Sequence, residues 1–314
     1  MPFSHHSHSG QFCPGHARDS LEEIVLTAIS KGMQVLALTE HMPRHEEDRY
    51  PEEVEAGVTL TSQLSNESAF VAEASRLREK YKTRIALPLG FECDWIRPES
   101  LRLIHRSIET HPYNFFIGSV HHVHTIPIDY DRQMYEQARM ESGGTDEKLF
   151  EDYFDAQLTL LQALKPPVVG HFDLIRLKSD SPNGNFSGMK GVWQRILRNL
   201  DYVASYRGVL ELNFASLRKG MDEPYPKREI CQAALERNIR FCLSDDSHGV
   251  DHVALNYEHA LSFLDKAGIP SVAFLQNCAP AGRLSIDRFQ ELQFEQMELS
   301  DLRNHRFWQT ASAI

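Results

Sequence analysis

The 314-residue sequence contains no apolar stretch near the roughly 20 residues needed to span a bilayer. No apolar run follows Met1-Pro2-Phe3-Ser4-His5-His6-Ser7-His8 either, so no secretory leader is expected. The five cysteines (Cys13, Cys93, Cys231, Cys242, Cys278) are scattered, odd in number and without a CxxC pair. They suit reduced thiols in a cytoplasmic protein better than a disulfide framework. Positive charge is also short: the formal net charge of −11 argues against binding through nucleic-acid phosphates, which needs a basic surface. Low-complexity tracts and internal repeats are absent. What is present is a 41% apolar composition, ample for a core, in a length that one α/β barrel can occupy as a single domain.

Short β-like runs alternate with helical ones, as in βαβ units around a parallel sheet. The clearest helix is expected over about Ser20 to Lys31. Leu21, Ile24, Val25, Ala28 and Ile29 keep i, i+3, i+4 spacing, Ser20 and Glu23 form a capping box, and Gly32 supplies the stop. Gln34-Val-Leu-Ala-Leu-Thr39 then reads as a strand buried on both faces. Further strands are expected at Phe3–His5, Arg84–Gly90, Phe115–Val120, Pro167–Gly170, Gly208–Leu212 and Arg240–Ser244. A helix at about Leu149–Leu164 precedes the Pro167 strand. Segments 57–82, 123–148 and 177–190 read as insertions, the first helical and the other two polar loops. A possible eighth strand (Ser271–Leu275) and a polar helix form the tail. No linker divides residues 1–314, so one domain is expected.

The chemistry lies where the strands end. The first runs into His6-Ser7-His8, the second into Glu40-His41, and the third into Gly90-Phe91-Glu92. The fourth meets His121-His122, the fifth Gly170-His171-Phe172-Asp173, and the seventh Asp245-Asp246-Ser247-His248. In parallel α/β folds the C-terminal strand edge is where ligands bind, so these groups collect on one side of the molecule. Imidazoles and carboxylates converging on one concavity demand cations, because each would otherwise be buried without a partner. His6 and His8, two apart on an extended segment, point to one side and can share a metal. Asp246 and His248 repeat that spacing, and Glu92 suits a bridge between two metals. His5 and His122 should face away from this side. His124 is ambiguous, and His45, His105, His111, His252, His259 and His305 have no such placement. An acidic protein can still bind a phosphorylated small molecule if such cations supply the positive charge.

Taken together, His6-Ser-His8, Phe12-Cys-Pro-Gly-His16, Thr39-Glu-His41-Met-Pro, Gly90-Phe-Glu92, Gly118-Ser-Val-His121, Gly170-His171-Phe-Asp173 and Ser244-Asp-Asp246-Ser-His248 resemble the polymerase-and-histidinol-phosphatase (PHP) superfamily. The match is closest to its monofunctional histidinol phosphatases. The resemblance implies a distorted (β/α)7, TIM-like barrel with three divalent metals at the C-terminal strand ends. It assigns as ligands His6, His8, His16, His41, Glu92, His121, His171, Asp246 and His248. It also implies hydrolysis of histidinol phosphate in histidine biosynthesis.

Mixed imidazole and carboxylate ligands favour zinc, manganese or iron, which make hydroxide from bound water near neutral pH. In-line attack of that hydroxide on phosphorus is expected, with no covalent phosphoenzyme, since neither a DxDx[TV] motif nor a Cys-x5-Arg loop is present. Asp245 and His122 are candidates to protonate the leaving group. Arg176 and Arg218 are candidates to clamp phosphate, and Asn213 to contact substrate. Three other readings remain open here: a related phosphoesterase acting on nucleotides, an amidohydrolase, and a metal-binding regulatory module without turnover. No strand-end lysine supports the amidohydrolase. A small phosphate ester is the expected partner, with neither nucleic acid nor membrane.

Overall fold

The computed structural model describes residues 2–276 and 286–311; Cys278 lies outside the described residues. Its strands are β1 (Phe3–Ser4), β2 (Val35–Leu36), β3 (Glu92–Asp94), β4 (Ile117–Ser119), β5 (His122–Val123), β6 (Ile126–Pro127), β7 (Val168–Val169), β8 (Val209–Asn213), β9 (Arg240–Ser244), β10 (Ser271–Phe274) and β11 (Glu295–Glu298), with helices between many of them. Strands β3, β4, β7, β8 and β9 form a parallel sheet in that order, and β1 pairs in parallel with β2. Backbone bonds link the two units at both edges. His5 N–H donates to the Leu243 carbonyl (3.1 Å) and His8 N–H to that of Ser247 (2.7 Å). On the other side, Leu36, Leu38 and Gly90 exchange N–H···O bonds with Ala86, Pro88 and Leu38 at 2.9–3.0 Å. The fold is thus mixed α/β with parallel strands.

Sequence periodicity accounts for much of this. The helix Leu21–Ser30 carries the Ser20–Glu23 capping box and buries Leu21, Ile24, Val25 and Ala28. Along the strands, alternate residues enter different apolar clusters. Ile117, Val168, Val209 and Cys242 pack with Ala37, while their neighbours Phe116, Val169, Leu210 and Leu243 join the larger core with the helices. A period of two on a strand buried on both faces produces this division.

Three expectations need correction. The strand expected at Arg84–Gly90 is reduced to bridges at Ala86 and Leu89, and regular pairing begins only at Glu92. Pro88 has no N–H to give to a ladder. Segment 123–148 is not simply loop: it contains the antiparallel β5–β6 hairpin and the helix Arg132–Glu141. Asp131 caps that helix through the Met134 N–H, and Tyr135 and Ala138 bury its apolar face. The following helix starts at Asp146 rather than Leu149, behind a Thr145 cap. The expected eighth strand exists as β10, but it pairs antiparallel with β11. The insertion 57–82 holds the helix Leu60–Tyr81.

Candidate metal centre

The extended segments after β1 and β2 carry His6, His8 and His41, while Glu92 opens β3 and His121 follows β4. His171 follows β7, Asp246 and His248 follow β9, and His16 lies on the loop before helix Leu21–Ser30. Gly170 allows the approach of its strand, since a Cβ there would meet Ser119 Oγ at 2.5 Å and Ile117 Cγ2 at 2.7 Å. Most of these side chains are buried, and all but His6 line one concavity.

Glu92 sits at the centre. Its Oε2 lies 3.1 Å from His6 Nε2, 3.4 Å from His8 Nε2 and 3.2 Å from His41 Nδ1. Its Oε1 lies 2.9 Å from His171 Nε2 and 3.4 Å from His121 Nε2. Asp246 Oδ1 stands 3.6 Å from His8 Nε2 and 3.5 Å from His248 Nδ1. His16 Nε2 faces His248 Nε2 at 2.8 Å and His41 Nε2 at 3.4 Å. The structure therefore brings all nine residues of the expected ligand set to one place.

Their second nitrogens explain the orientation. His6 Nδ1 meets Glu211 Oε1 at 2.7 Å, His121 Nδ1 meets Asp94 Oδ1 at 2.7 Å, and His248 Nδ1 meets the Asp246 carbonyl at 2.8 Å. A proton held there turns each Nε2 lone pair towards the centre. His121 Nε2 and His171 Nε2 then face each other at 3.2 Å, and the buried His6 Nε2 and His41 Nδ1 have no hydrogen-bond partner. Lone pairs and carboxylates converging without donors fit divalent cations. Overlapping groups meet this requirement: His6–His8–Glu92, His8–Asp246–His248, Glu92–His121–His171 and His41–Glu92–Asp94.

The electrostatics agree. Burial opposes protonation of His8, but the carboxylates of Glu40 and Glu92 outweigh it and raise the ring to about 9. At His121 burial is likewise outweighed, by Glu92 and Asp94, and the value is again about 9. Burial works against ionisation of Glu92, yet His6, His121 and His41 hold it well below the carboxylate range. Without a cation, protons occupy this site in its place.

The other candidates lie elsewhere. Burial lowers His122 to about 3, and its ring packs 5.4 Å from Tyr50. Asp245 accepts from Ser4 Oγ (2.8 Å), Ser247 N–H (3.2 Å) and Ala254 N–H (2.6 Å). Neither lines the cavity, so the geometry supports neither as proton donor. Arg176 is 1% exposed and donates to Asp173, Pro182, Glu223 and Pro224, which fixes loops rather than meeting a phosphate. Arg218 Nη2 reaches the Asp246 carbonyl at 3.4 Å, and the residue does not line the cavity. Asn213 holds carboxylates, donating to Asp246 Oδ2 (3.1 Å) and Glu211 Oε2 (3.2 Å). His5 turns away into the core, as expected. His124 meets Asp152 at the surface.

Asp94 and Glu211 are not among the groups expected from the sequence, and Glu40 stands there only as a strand-end group without a role. Asp94 stands two residues after Glu92, the spacing that ties His6 to His8. Glu211 is a carboxylate inside an apolar strand, a burial that requires a partner. Lys219, Glu52 and Asp129, which also line the cavity, carry no such signal.

The model of the PHP domain family matches residues 4–215. The chain belongs to the PHP family. A Schizosaccharomyces pombe protein described as a probable histidinol-phosphatase is 42% identical over 278 residues, covering 88% of this chain and 90% of the relative. The histidinol-phosphatase of Saccharomyces cerevisiae is 30% identical, covering 97% and 98%. In fold, the chain is similar to the histidinol phosphate phosphatase of Lactococcus lactis, solved with zinc, L-histidinol and phosphate. That likeness has a TM-score of 0.67 at 20% identity, over 89% of this chain and 98% of the other. The PHP match ends before Asp246 and His248, whose place in the site rests on their own geometry.

Proposed function

We propose that this chain is a metal-dependent phosphomonoesterase that hydrolyses L-histidinol phosphate to L-histidinol and phosphate. The observation that carries the substrate is the 42% and 30% identity, over nearly whole chains, to relatives bearing that name. The convergence of imidazoles on Glu92 carries the chemistry. The linked sheet edges support a closed seven-stranded barrel, with β1 seated between β9 and β2. Overlapping ligand groups that share His8 and Glu92 support a multinuclear centre of three zinc, manganese or iron ions held by the nine residues.

Divalent ions bound here would acidify water and neutralise charge on the phosphoryl oxygens. The chain's own residues do the rest. Asp94, Glu211 and the Asp246 carbonyl hold His121, His6 and His248 in their tautomers. Lys219, on the cavity wall, offers a cation to phosphate. Glu52 Oε2 and Asp129 Oδ1 are buried in the same wall and have no hydrogen-bond partner among the described residues. They suit the ammonium and imidazole of the substrate, both of which can donate.

The test is phosphate release by metal-loaded protein from histidinol phosphate, an aryl phosphate and a nucleoside monophosphate, with His8→Ala as blank. Turnover that strongly favours histidinol phosphate and is lost in the blank is the expected result. Turnover only of the other esters would sink the substrate but keep the metal centre.

A further inference from the structure

A second cavity, of about 390 Å³, lies at the opposite end of the sheet, where Pro167, Gly208 and Ile239 lead into β7, β8 and β9. It is within the size range of small-molecule sites. Lys165, Arg207, Arg237 and Arg240 line it, and among the described residues no aspartate or glutamate does. In a chain of net charge −11 this is a local reversal of sign.

Among the described residues only Arg237 is neutralised, by Asp201 at 2.7 Å. The side chains of Lys165 and Arg207 have no ion pair or hydrogen bond among the described residues. Each sits just past a helix C-terminus in the left-handed region (φ 45° and 62°), where a cation offsets the helix dipole. Arg240 cannot be explained that way, because it opens β9. Among the described residues its Nη2 donates only to the Arg207 carbonyl, at 3.2 Å, and its guanidinium lies 5.5 Å from the Phe294 ring centroid. Burial, and then the charge of Arg207, lower its pKa, which is the mark of a cation lacking its counter-charge. Tyr206 also lines the cavity, and its hydroxyl is buried without a hydrogen-bond partner.

We propose that this cavity binds a small phosphate-bearing molecule, held by Lys165, Arg207 and Arg240, with any organic part against Phe294. Guanidinium groups suit the planar pairs of phosphate oxygens, and the aromatic ring suits a planar base or aryl group. The site is separate from the metal centre: it opens at the start of β8 and β9, whereas Asn213 and Ser244 end them.

The test uses the metal-loaded, isotope-labelled protein, titrated with inorganic phosphate and then with adenosine monophosphate. The backbone amides of Gly208, Asn238 and Phe294 are followed by NMR. Saturable shifts are expected, weakened about tenfold in Arg240→Gln while histidinol phosphate turnover is unchanged. Arg207→Gln, at an exposed side chain, gives the same reading if Arg240→Gln fails to fold. Equal affinity for both probes assigns the site to the phosphate group alone. Tighter binding of the nucleotide, with the gain lost in Phe294→Ala, assigns it to a phosphate ester bearing a planar ring. No saturable shift at these amides, or shifts unaltered in both arginine variants, would overturn the proposal.

Discussion

The two ends of the parallel sheet carry opposite chemistry. At the C-terminal end, Glu92, Asp94, Glu211 and Asp246 are buried among imidazoles, and every carboxylate lies within hydrogen-bonding or ion-pairing distance of a ring. At the N-terminal end, Lys165 and Arg207 stand exposed, and Arg237 and Arg240 are half-buried. Charges out of water are unfavourable unless paired, so the first end is specified residue by residue, and the second tolerates exchange.

The largest expected effect is at the centre of the buried end. Glu92→Gln keeps the shape but removes the charge that five imidazoles face, and should lower kcat on the order of a thousandfold. Metal content measured alongside kcat should fall with it. A variant that turns over normally would break the contrast between the ends. Arg176→Met separates charge that serves the fold from charge that serves the site. Losing its buried pair with Asp173 should cost about 3–5 kcal/mol of stability in denaturant unfolding, with KM unchanged in the protein that remains folded. A raised KM at unaltered stability would restore Arg176 as a phosphate clamp.

Glu211→Gln leaves every ligand in place but weakens the partner of His6 Nδ1 and the acceptor of the His171 N–H and Asn213 amide. A fall of roughly 10–100-fold in metal affinity is expected, read by competition with a chelator. The pH dependence sharpens the point. His8 and His121, both raised to about 9, hold protons in the metal-free protein at pH 7. Metal binding must therefore release protons, and affinity should climb as pH rises towards 9, as calorimetry in buffers of different ionisation enthalpy would show. The same rings stabilise the metal-free fold fully below their ordinary value of 6.5, and that contribution disappears as pH passes about 9. The smallest effect belongs to the other end: Lys165→Ala should leave turnover unchanged and shift stability by no more than about 0.5 kcal/mol.

Where the sequence was legible, a short-range rule applied. The Ser20–Glu23 box and apolar spacing gave the first helix almost to the residue. The i, i+2 rule put His6 beside His8 and turned His5 into the core. Applied once more, it would have found Asp94. Arg176, Asp245 and His122 stand outside the cavity lining, because nearness to a ligand in sequence says nothing about which way a side chain leaves a turn. The hairpin and helix within 123–148 were hidden by their polar composition, since only Tyr135 and Ala138 on that helix are buried.

The sequence by itself determined the alternation of strands and helices, the set of groups at the strand ends and hence the kind of site. These depend on period, capping and residue chemistry, which are local. Only the tertiary structure decided that Glu92 is shared by five rings, that Glu211 and Asp94 orient His6 and His121, and that Asp129 and Glu52 face the same cavity. Those pairings join residues 27 to 205 positions apart, and their energies exist only once packing has excluded water from between them.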